Sequence, residues 1–483
     1  MTEMRLPKRL VLDLRNVIYK KTSGHALFVA QLLNSLVRDS TISYSPQKWC
    51  FHWNWERVSS LRTWDSVAGF IVSNLSSLQP GALLTLRIVS CFGTLLQLSL
   101  LELLDSFPRR PNEGIVFFLP SLVEKGVLEK EFPMIVFSHD LIQQQVYESM
   151  GLEQRQRLHL DLGIFLGSKT TLDRSETIEA DLQKLDLSEK HNMRDSAVLP
   201  LSLGAIATEQ INNAGPEFIH DHSQRIRFAG WNLKSGKLAI SASNFRAAFH
   251  YYERGIGFLH EQLWLKDTYS LCLQLNDGAA YALYALGRAT DSGKYARSII
   301  DKVPFEDSLA AQLLLLRSYE FTGDNEKIIS EGLAILRKVG IDFTAAPSLE
   351  TVKEAMNDAK LLALQHDFDQ IPTLHEGRVC ERTRNVLKIM DAVSIALLQT
   401  ASPYLPMLAS AMVSYSLQHG VCEESAHAFA VYAYFTIHLF KQFKEARRYG
   451  NIALKILENA QNQRYDNPIT VLFRPFQFKY NPS

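Results

Sequence analysis

SNFRAAFHYYERGIGFL, Ser243 to Leu259, is the stretch on which the fold turns. Phe245, Ala248, Tyr252 and Gly255 stand at offsets 0, 3, 7 and 10, which is one face of an α-helix. The same offsets return in GDNEKIISEGLAILRKVG (Gly323 to Gly340) at Asn325, Ile328, Gly332 and Ile335. They return again in KQFKEARRYGNIALKIL (Lys441 to Leu457) at Phe443, Ala446, Gly450 and Ala453. Small residues recur where a neighbouring helix would lie close. The intervals are 80 and 118 residues, near two and three units of about 40. A helix pair of that size cannot bury its apolar face alone and must stack on the next. The reading is a mainly α chain that ends in a solenoid of helix pairs.

Composition agrees with a folded chain. At 483 residues it should hold two to four domains. Hydrophobic residues make up 46% and charged residues 21%, enough for large cores and too apolar for disorder. Lysine plus arginine balances aspartate plus glutamate at 51 each, so charge gives no reason to expect nucleic acid or an anionic membrane. Cys50, Cys91, Cys272, Cys380 and Cys422 are scattered and form no C-x-x-C, which fits buried free thiols in a reducing compartment. MTEMRLPKRLVLDLRN at the start does not read as a signal peptide, and a cytoplasmic location follows. The most apolar region, residues 82 to 104, is uncharged only from Ile88 to Leu101. That is short of the roughly 20 residues that cross a bilayer, and it reads as buried core helices.

Upstream of the repeats the pattern varies. Residues 6 to 39 read as two helices separated by KTSG. ISYSPQKWCFHWNW, Ile42 to Trp55, places aromatics on both sides of a Ser-Pro-Gln-Lys turn and reads as a β-hairpin. Residues 64 to 150 read as helices followed by a small hairpin, VLEKE, a Pro133 turn and MIVF, which suggests a winged-helix unit. IVFSHDLIQQQVYESMGLEQRQRLHLDLG, Ile135 to Gly163, then runs from a short strand into an amphipathic helix. Asp140 reads as its N-cap, and Leu141, Val146 and Met150, with Ile142 and Tyr147 beside them, as its apolar stripe. A histidine at such a corner, here His139, either caps the helix or points at a phosphate. Residues 168 to 195 are polar and read as a surface linker.

A search for chemistry finds little. A P-loop needs G-x-x-x-x-G-K-[ST] so that backbone N–H groups cradle phosphates. Ser235-Gly236-Lys237 and Ser292-Gly293-Lys294 lack the upstream glycine, having Trp231 and Arg288 there, and read as turns between repeat helices. His220-Asp221-His222 has no third metal ligand nearby, and Asp221 reads as a cap. Ser138-His139-Asp140 holds the residue types of a catalytic triad, but adjacent residues cannot take up its geometry. No catalytic residue and no metal site is assigned.

Five segments, in order, resemble one family: signalling proteins that join a STAND-type, AAA-related NTPase to helical repeats, often with a protein kinase domain before it. KTSGHALFVAQLLNSLV is similar to the family's lid, KT-x-GNPFF followed by an apolar helix, and ISYSPQKWCFHWNW to the hairpin after it. FSHDLIQQQVYESM and RLHLDLGIFL resemble the winged-helix end, F-x-HD-x-x-QQAAY and then LH-x-x-IG. RIRFAGWNLKSGKLAISASNFRAAFHYYERGIGFL resembles the opening of the repeats, and SLQHGVCEESAHAFAVYAYF extends the likeness past residue 430. The repeats have the B-helix pattern of tetratricopeptide units at a looser period.

The resemblance implies domains at 1–42 (lid remnant), 43–165 (hairpin and winged helix), 166–198 (linker), 199–464 (tetratricopeptide-like repeats) and 465–483 (tail). It implies that His139 senses a bound diphosphate, that Asp140 orients it, and that Gly24 belongs to a lid turn near the base. His25 and Ala26 stand where the family has asparagine and proline, which departs from its pattern. No P-loop core precedes these segments, so the chain reads as an internal piece or a shortened relative. The function implied is a non-catalytic signalling module with protein partners on its repeats, and neither nucleic acid nor membrane. ATP or ADP is expected only if a nucleotide core is supplied. The alternatives are part of an active ATPase coupled to a kinase, and a winged-helix transcription regulator.

Overall fold

A computed structural model describes residues 8–22, 24, 29–30, 32–33, 36–37, 39–46, 50–60, 78–170, 172–173, 203–259, 264–343, 347–374 and 379–460. The chain divides into two compact units, Met1–His222 and Ser223–Ser483. The second helix read between residues 6 and 39 is described only in part, helical at 29–30, 32–33 and 36–37, while most of the 168–195 linker and the tail lie outside the described residues. Among the described residues, no helix is long and apolar enough to cross a membrane.

The first unit opens with helix α1 (Lys8–Thr22) and a hairpin of β1 (Ile42–Ser45) and β2 (Cys50–Trp53). The hairpin is antiparallel, with Ile42 opposite Trp53 and Ser45 opposite Cys50, as the flanking aromatics predict. Tyr44 and Phe51 face each other across it with ring centroids 5.0 Å apart. Leu14 and Ile18 of α1 join Ile42 and Val58 in a small core, Val58 lying on helix α2 (Trp55–Ser60).

There follow α3 (Pro80–Ser90), β3 (Leu95–Gln97), α4 (Leu98–Leu104), α5 (Ile115–Glu124), β4 (Leu128–Glu131) and β5 (Met134–Phe137). The three strands form an antiparallel sheet in the order β3-β5-β4. The apolar run 82–104 is therefore not helical throughout. Gly93 takes φ +95°, a left-handed turn, and Leu95–Gln97 pair with Met134–Val136 before the chain re-enters a helix. A strand of three residues inside an apolar run has no period of its own to betray it. Helix α5 is capped from a distance: Asp105 Oδ1 accepts from the N–H groups of Ile115 (2.6 Å) and Val116 (3.2 Å). The unit continues with α6 (Asp140–Glu148), α7 (Leu152–Gly167) and α8 (Leu203–Ala214). Helix α8, placed by sequence at the start of the repeats, packs on α7 here, and Gly163 leaves room for Ile211.

The second unit is a stack of helix pairs: α9 (His222–Ser241) with α10 (Phe245–Phe258), α11 (Tyr269–Ala285) with α12 (Ala289–Ile300), and α13 (Leu309–Thr322) with α14 (Asn325–Val339). A lone helix α15 (Leu349–Ala363) follows, then α16 (Glu381–Gln399) with α17 (Leu405–His419), and α18 (Ser425–Phe440) with α19 (Phe443–Ala460). Pairs pack on their neighbours in order, and α14 packs directly on α16 across the inserted α15. Offsets 3, 7 and 10 of the three sequence copies are buried, as the period requires. The first position is not: Phe245 and Asn325 are half-buried and Phe443 is exposed. Fully burying an aliphatic side chain contributes about 1.5–3 kcal/mol, so the inner three positions carry the stacking.

Two further helices repeat the pattern. Ala289, Ser292, Ala296 and Ile299 on α12, and Leu405, Leu408, Met412 and Tyr415 on α17, stand at the same offsets and are all buried. Each of the five pairs also turns through one left-handed residue: Ser243, Gly287, Gly323, Ala401 or Lys441. In four of them the next N–H returns to a carbonyl in the last turn of the first helix (Asn244 to Ala239, Arg288 to Leu283, Asp324 to Tyr319, Ser402 to Leu397), a Schellman closure.

Ser235-Gly236-Lys237 and Ser292-Gly293-Lys294, read as turns, lie inside α9 and α12. Their glycines serve close approach instead. A Cβ on Gly236 would meet the Tyr252 ring at 2.4 Å, and one on Gly293 would meet Ser318 Oγ at 2.5 Å.

Candidate functional site

The predicted site residues fall at two places in the first unit. His139 ends the strand-to-helix corner after β5, with extended backbone at φ −159° and ψ 144°. It is the N-cap of α6: its Nδ1 accepts from the Leu141 N–H at 3.1 Å. Asp140, read as the cap, is instead the first helical residue, where a carboxylate still favours the positive helix end. The imidazole ring reaches the free N–H that the shorter Asp140 side chain, one residue on, is too far into the turn to cap. Both side chains are exposed. The stripe holds at Ile142, Val146 and Met150, which are buried, and fails at Leu141, which is exposed.

Gly24 follows α1 at φ +78°, a conformation that favours glycine, and its N–H donates to Thr22 Oγ1 at 3.3 Å. A Cβ there would lie 2.8 Å from the Tyr19 ring. The contacts of Gly24 are thus local to the end of α1. His25 and Ala26 lie outside the described residues.

A buried polar chain links α6, α7 and α8. His159 on α7 is 1% exposed. Its Nε2 is 2.8 Å from Tyr147 Oη on α6, and its Nδ1 is 2.7 Å from Gln210 Oε1 on α8. Gln210 Nε2 donates to the Cys91 carbonyl at 3.1 Å, so its oxygen faces the imidazole. Nδ1 therefore carries the proton, and Nε2 accepts from the Tyr147 hydroxyl. One α6 turn earlier, Gln143 Nε2 donates to the Ser90 carbonyl at 2.8 Å. Gln143 and Gln210 together satisfy two carbonyls at the end of α3, which a buried helix terminus would otherwise leave open. The glutamine, tyrosine and histidine of the QQ…Y and LH segments thus tie α6 and α7 to α8 and to the end of α3.

Burial pushes the His159 imidazole below its ordinary value of 6.5; the Gln210 hydrogen bond opposes this, and the charge of Arg155 adds to it. The folded chain binds this proton less well than the unfolded chain does. Stability from His159 is therefore fully present above the ordinary value and is lost as pH falls below it through the lowered folded-state value. His427 in the second unit is lowered in the same direction by burial. Thermal melts of wild type and His159→Gln across pH 5 to 8 should show a smaller acid-side fall in the variant. Equal falls would show that His159 does not titrate in this range.

Cys91, Cys272, Cys380 and Cys422 are free thiols. Cys380 departs from the expected burial because it is exposed as the N-cap residue of α16. Among the described residues, no set of three His, Cys, Asp or Glu side chains comes together to hold a metal. His220 and Asp221 directly precede α9, which begins at His222.

No protein-family profile matches the chain. Over 96% of its length it is similar, at 19% identity, to hybrid signal transduction histidine kinase G of Dictyostelium discoideum. The chain spans 15% of the length of that relative. A similar solved structure is a Signal Transduction ATPase with Numerous Domains (STAND) protein with a tetratricopeptide repeat sensor, from Pyrococcus horikoshii. The likeness covers 87% of this chain and 68% of that one, at 15% identity and a TM-score of 0.28.

Proposed function

We propose that this chain is a non-catalytic signalling module, the regulatory part of a STAND-type ATPase, whose helical repeats bind a protein partner or pass on a conformational change. The observation that carries the reading is the stack of helix pairs with one buried face repeated at fixed offsets, an architecture whose extended surface suits protein recognition. The signal-transduction kinase of Dictyostelium, similar along nearly the whole chain, supports it.

Within this reading residues 1–42 are the lid remnant, 43–165 the hairpin and winged helix, 166–198 the linker and 199–464 the repeats. The element order α3-β3-α4-α5-β4-β5, with its β3-β5-β4 sheet, supports the winged helix. His139, Asp140 and Gly24 are its nucleotide-state positions. The partner is a protein, and the setting cytoplasmic. A DNA-binding role is disfavoured by α5, whose exposed face carries Val116, Phe117, Pro120 and Val123 in place of a row of cations.

The chain alone should show no saturable micromolar binding of ATP or ADP by calorimetry with magnesium present. Its sequence carries no G-x-x-x-x-G-K-[ST] loop to cradle phosphates. Saturable micromolar binding would move the reading to an active ATPase.

A further inference from the structure

One carboxyl in the helix stack faces only its own sign. Asp277 sits in the middle of α11, half-buried, and its Oδ1 is closed to solvent with no hydrogen-bond partner among the described residues. The charges that act on it come from two other elements and are both negative. They are Glu381, in the first turn of α16, and Asp307, in the short turn Phe305–Ser308 before α13. Positions 277, 307 and 381 are far apart in sequence, so only the stacking of the pairs brings the three carboxyls together.

The groups around this junction have other partners. Tyr269 Oη, on α11, donates to Asp307 Oδ2 at 2.5 Å. Lys237 Nζ of α9 donates to Gln274 Oε1 at 2.7 Å, and the charge it feels is that of Glu381. Arg382, next to Glu381, pairs with Glu306, its Nε 2.5 Å from Oε2. Lys302, after α12, acts on Cys272. Tyr252 of α10, Tyr295 of α12 and Cys272 of α11 are kept neutral by burial. Burial, and then the Glu381 and Asp307 charges, push the Asp277 carboxyl up from 3.8 to about 7. The folded chain therefore holds this proton more tightly than the unfolded chain does. The stability it contributes is fully present below 3.8 and is lost as pH rises through about 7.

We propose that Asp277 is a proton-operated switch in the helix stack. Protonated, it lets α11, the turn before α13 and the start of α16 close on one another. Ionised, it sets three carboxylates against each other and loosens that junction. The device acts on the second and third helix pairs and on the start of the fourth, and its only ligand is the proton.

The test compares the full chain with its Asp277→Asn and Glu381→Gln variants by thermal melts and hydrogen exchange between pH 5 and pH 8. Asparagine copies the shape of the protonated carboxyl and cannot ionise. Wild type and Asp277→Asn should melt alike at pH 5, and the variant at least about 4 °C higher at pH 8. His159 and His427 titrate alike in both chains and cancel in the comparison. Amides of α11 and of the first turns of α16 should lose about tenfold in protection in wild type between the two pH values, corrected for intrinsic exchange, and keep it in Asp277→Asn. Glu381 is exposed, so Glu381→Gln keeps the test open if Asp277→Asn does not fold. Removing that charge should shrink the alkaline loss. The proposal is overturned by parallel melting curves of wild type and Asp277→Asn from pH 5 to pH 8, or by an alkaline loss that Glu381→Gln leaves unchanged.

Discussion

Tyr252→Ala should destabilise the helical-repeat unit by about 3–5 kcal/mol, the range for deleting a large buried aromatic side chain. The Tyr252 ring on α10 fills the space above two glycines on the flanking helices. A Cβ on Gly236 of α9 would lie 2.4 Å from it, and one on Gly278 of α11 would lie 2.6 Å from it. The side chain is 3% exposed, and the absence of Cβ atoms lets three helices close on it. Removing the ring leaves a void lined by helix backbone, which cannot collapse far. Tyr252→Phe keeps the ring and should cost less than about 1.5 kcal/mol, the limit for volume-conserving exchanges. Gly236→Val and Gly278→Val should each destabilise by overpacking, by about 1–3 kcal/mol. Urea unfolding of the four variants checks this. A loss below about 1 kcal/mol for Tyr252→Ala would show that the helices do not interlock there.

The second large effect is expected at Arg317. Asp391, on α16, has no exposed surface, and Arg317, on α13, is the cation facing it. Arg317→Met removes that cation from beside the buried Asp391 carboxylate, and breaking one side of a buried pair costs about 3–5 kcal/mol. The double change Arg317→Met with Asp391→Leu removes both charges and should recover most of the loss. Chemical denaturation of the single and double variants gives the coupling directly. If the double variant is no more stable than Arg317→Met alone, Asp391 does not depend on Arg317.

The stacked fold was legible because Ala248, Ile328 and Ala446 recur at one spacing with their partners, and burial follows that spacing. The copies on α12 and α17 were harder to see. Ala289, Ser292, Ala296 and Ile299 form too mild an apolar signal, and Leu405 to Tyr415 lies inside a helix buried on most sides. The turns hid as well, because Ser243, Ala401 and Lys441 take the left-handed conformation that glycine would have advertised. Conversely, Gly236 and Gly293 suggested turns while serving helix contact. At the candidate site the HD pair was visible, but the capping roles were shifted by one residue. The chain from Tyr147 through His159 to Gln210 and Cys91 was not legible. Its members lie on three helices and a helix end, and no local period links them.

The inserted helix α15 changes what kind of array this is. A simple stack couples only nearest neighbours, so it can fray inward from its ends. Helix α15 packs on α17, and its Met356 carbonyl accepts from Tyr432 Oη of α18 at 2.5 Å. Its Lys360 Nζ reaches Glu445 of α19 at 2.8 Å. One helix thus touches both of the last two pairs, and α14 reaches α16 beside it. The C-terminal pairs are bound into a single cooperative block, while the first two pairs remain a chain of separable links. Partial unfolding of the repeats is expected to begin among those first links, with the block beyond them opening as one.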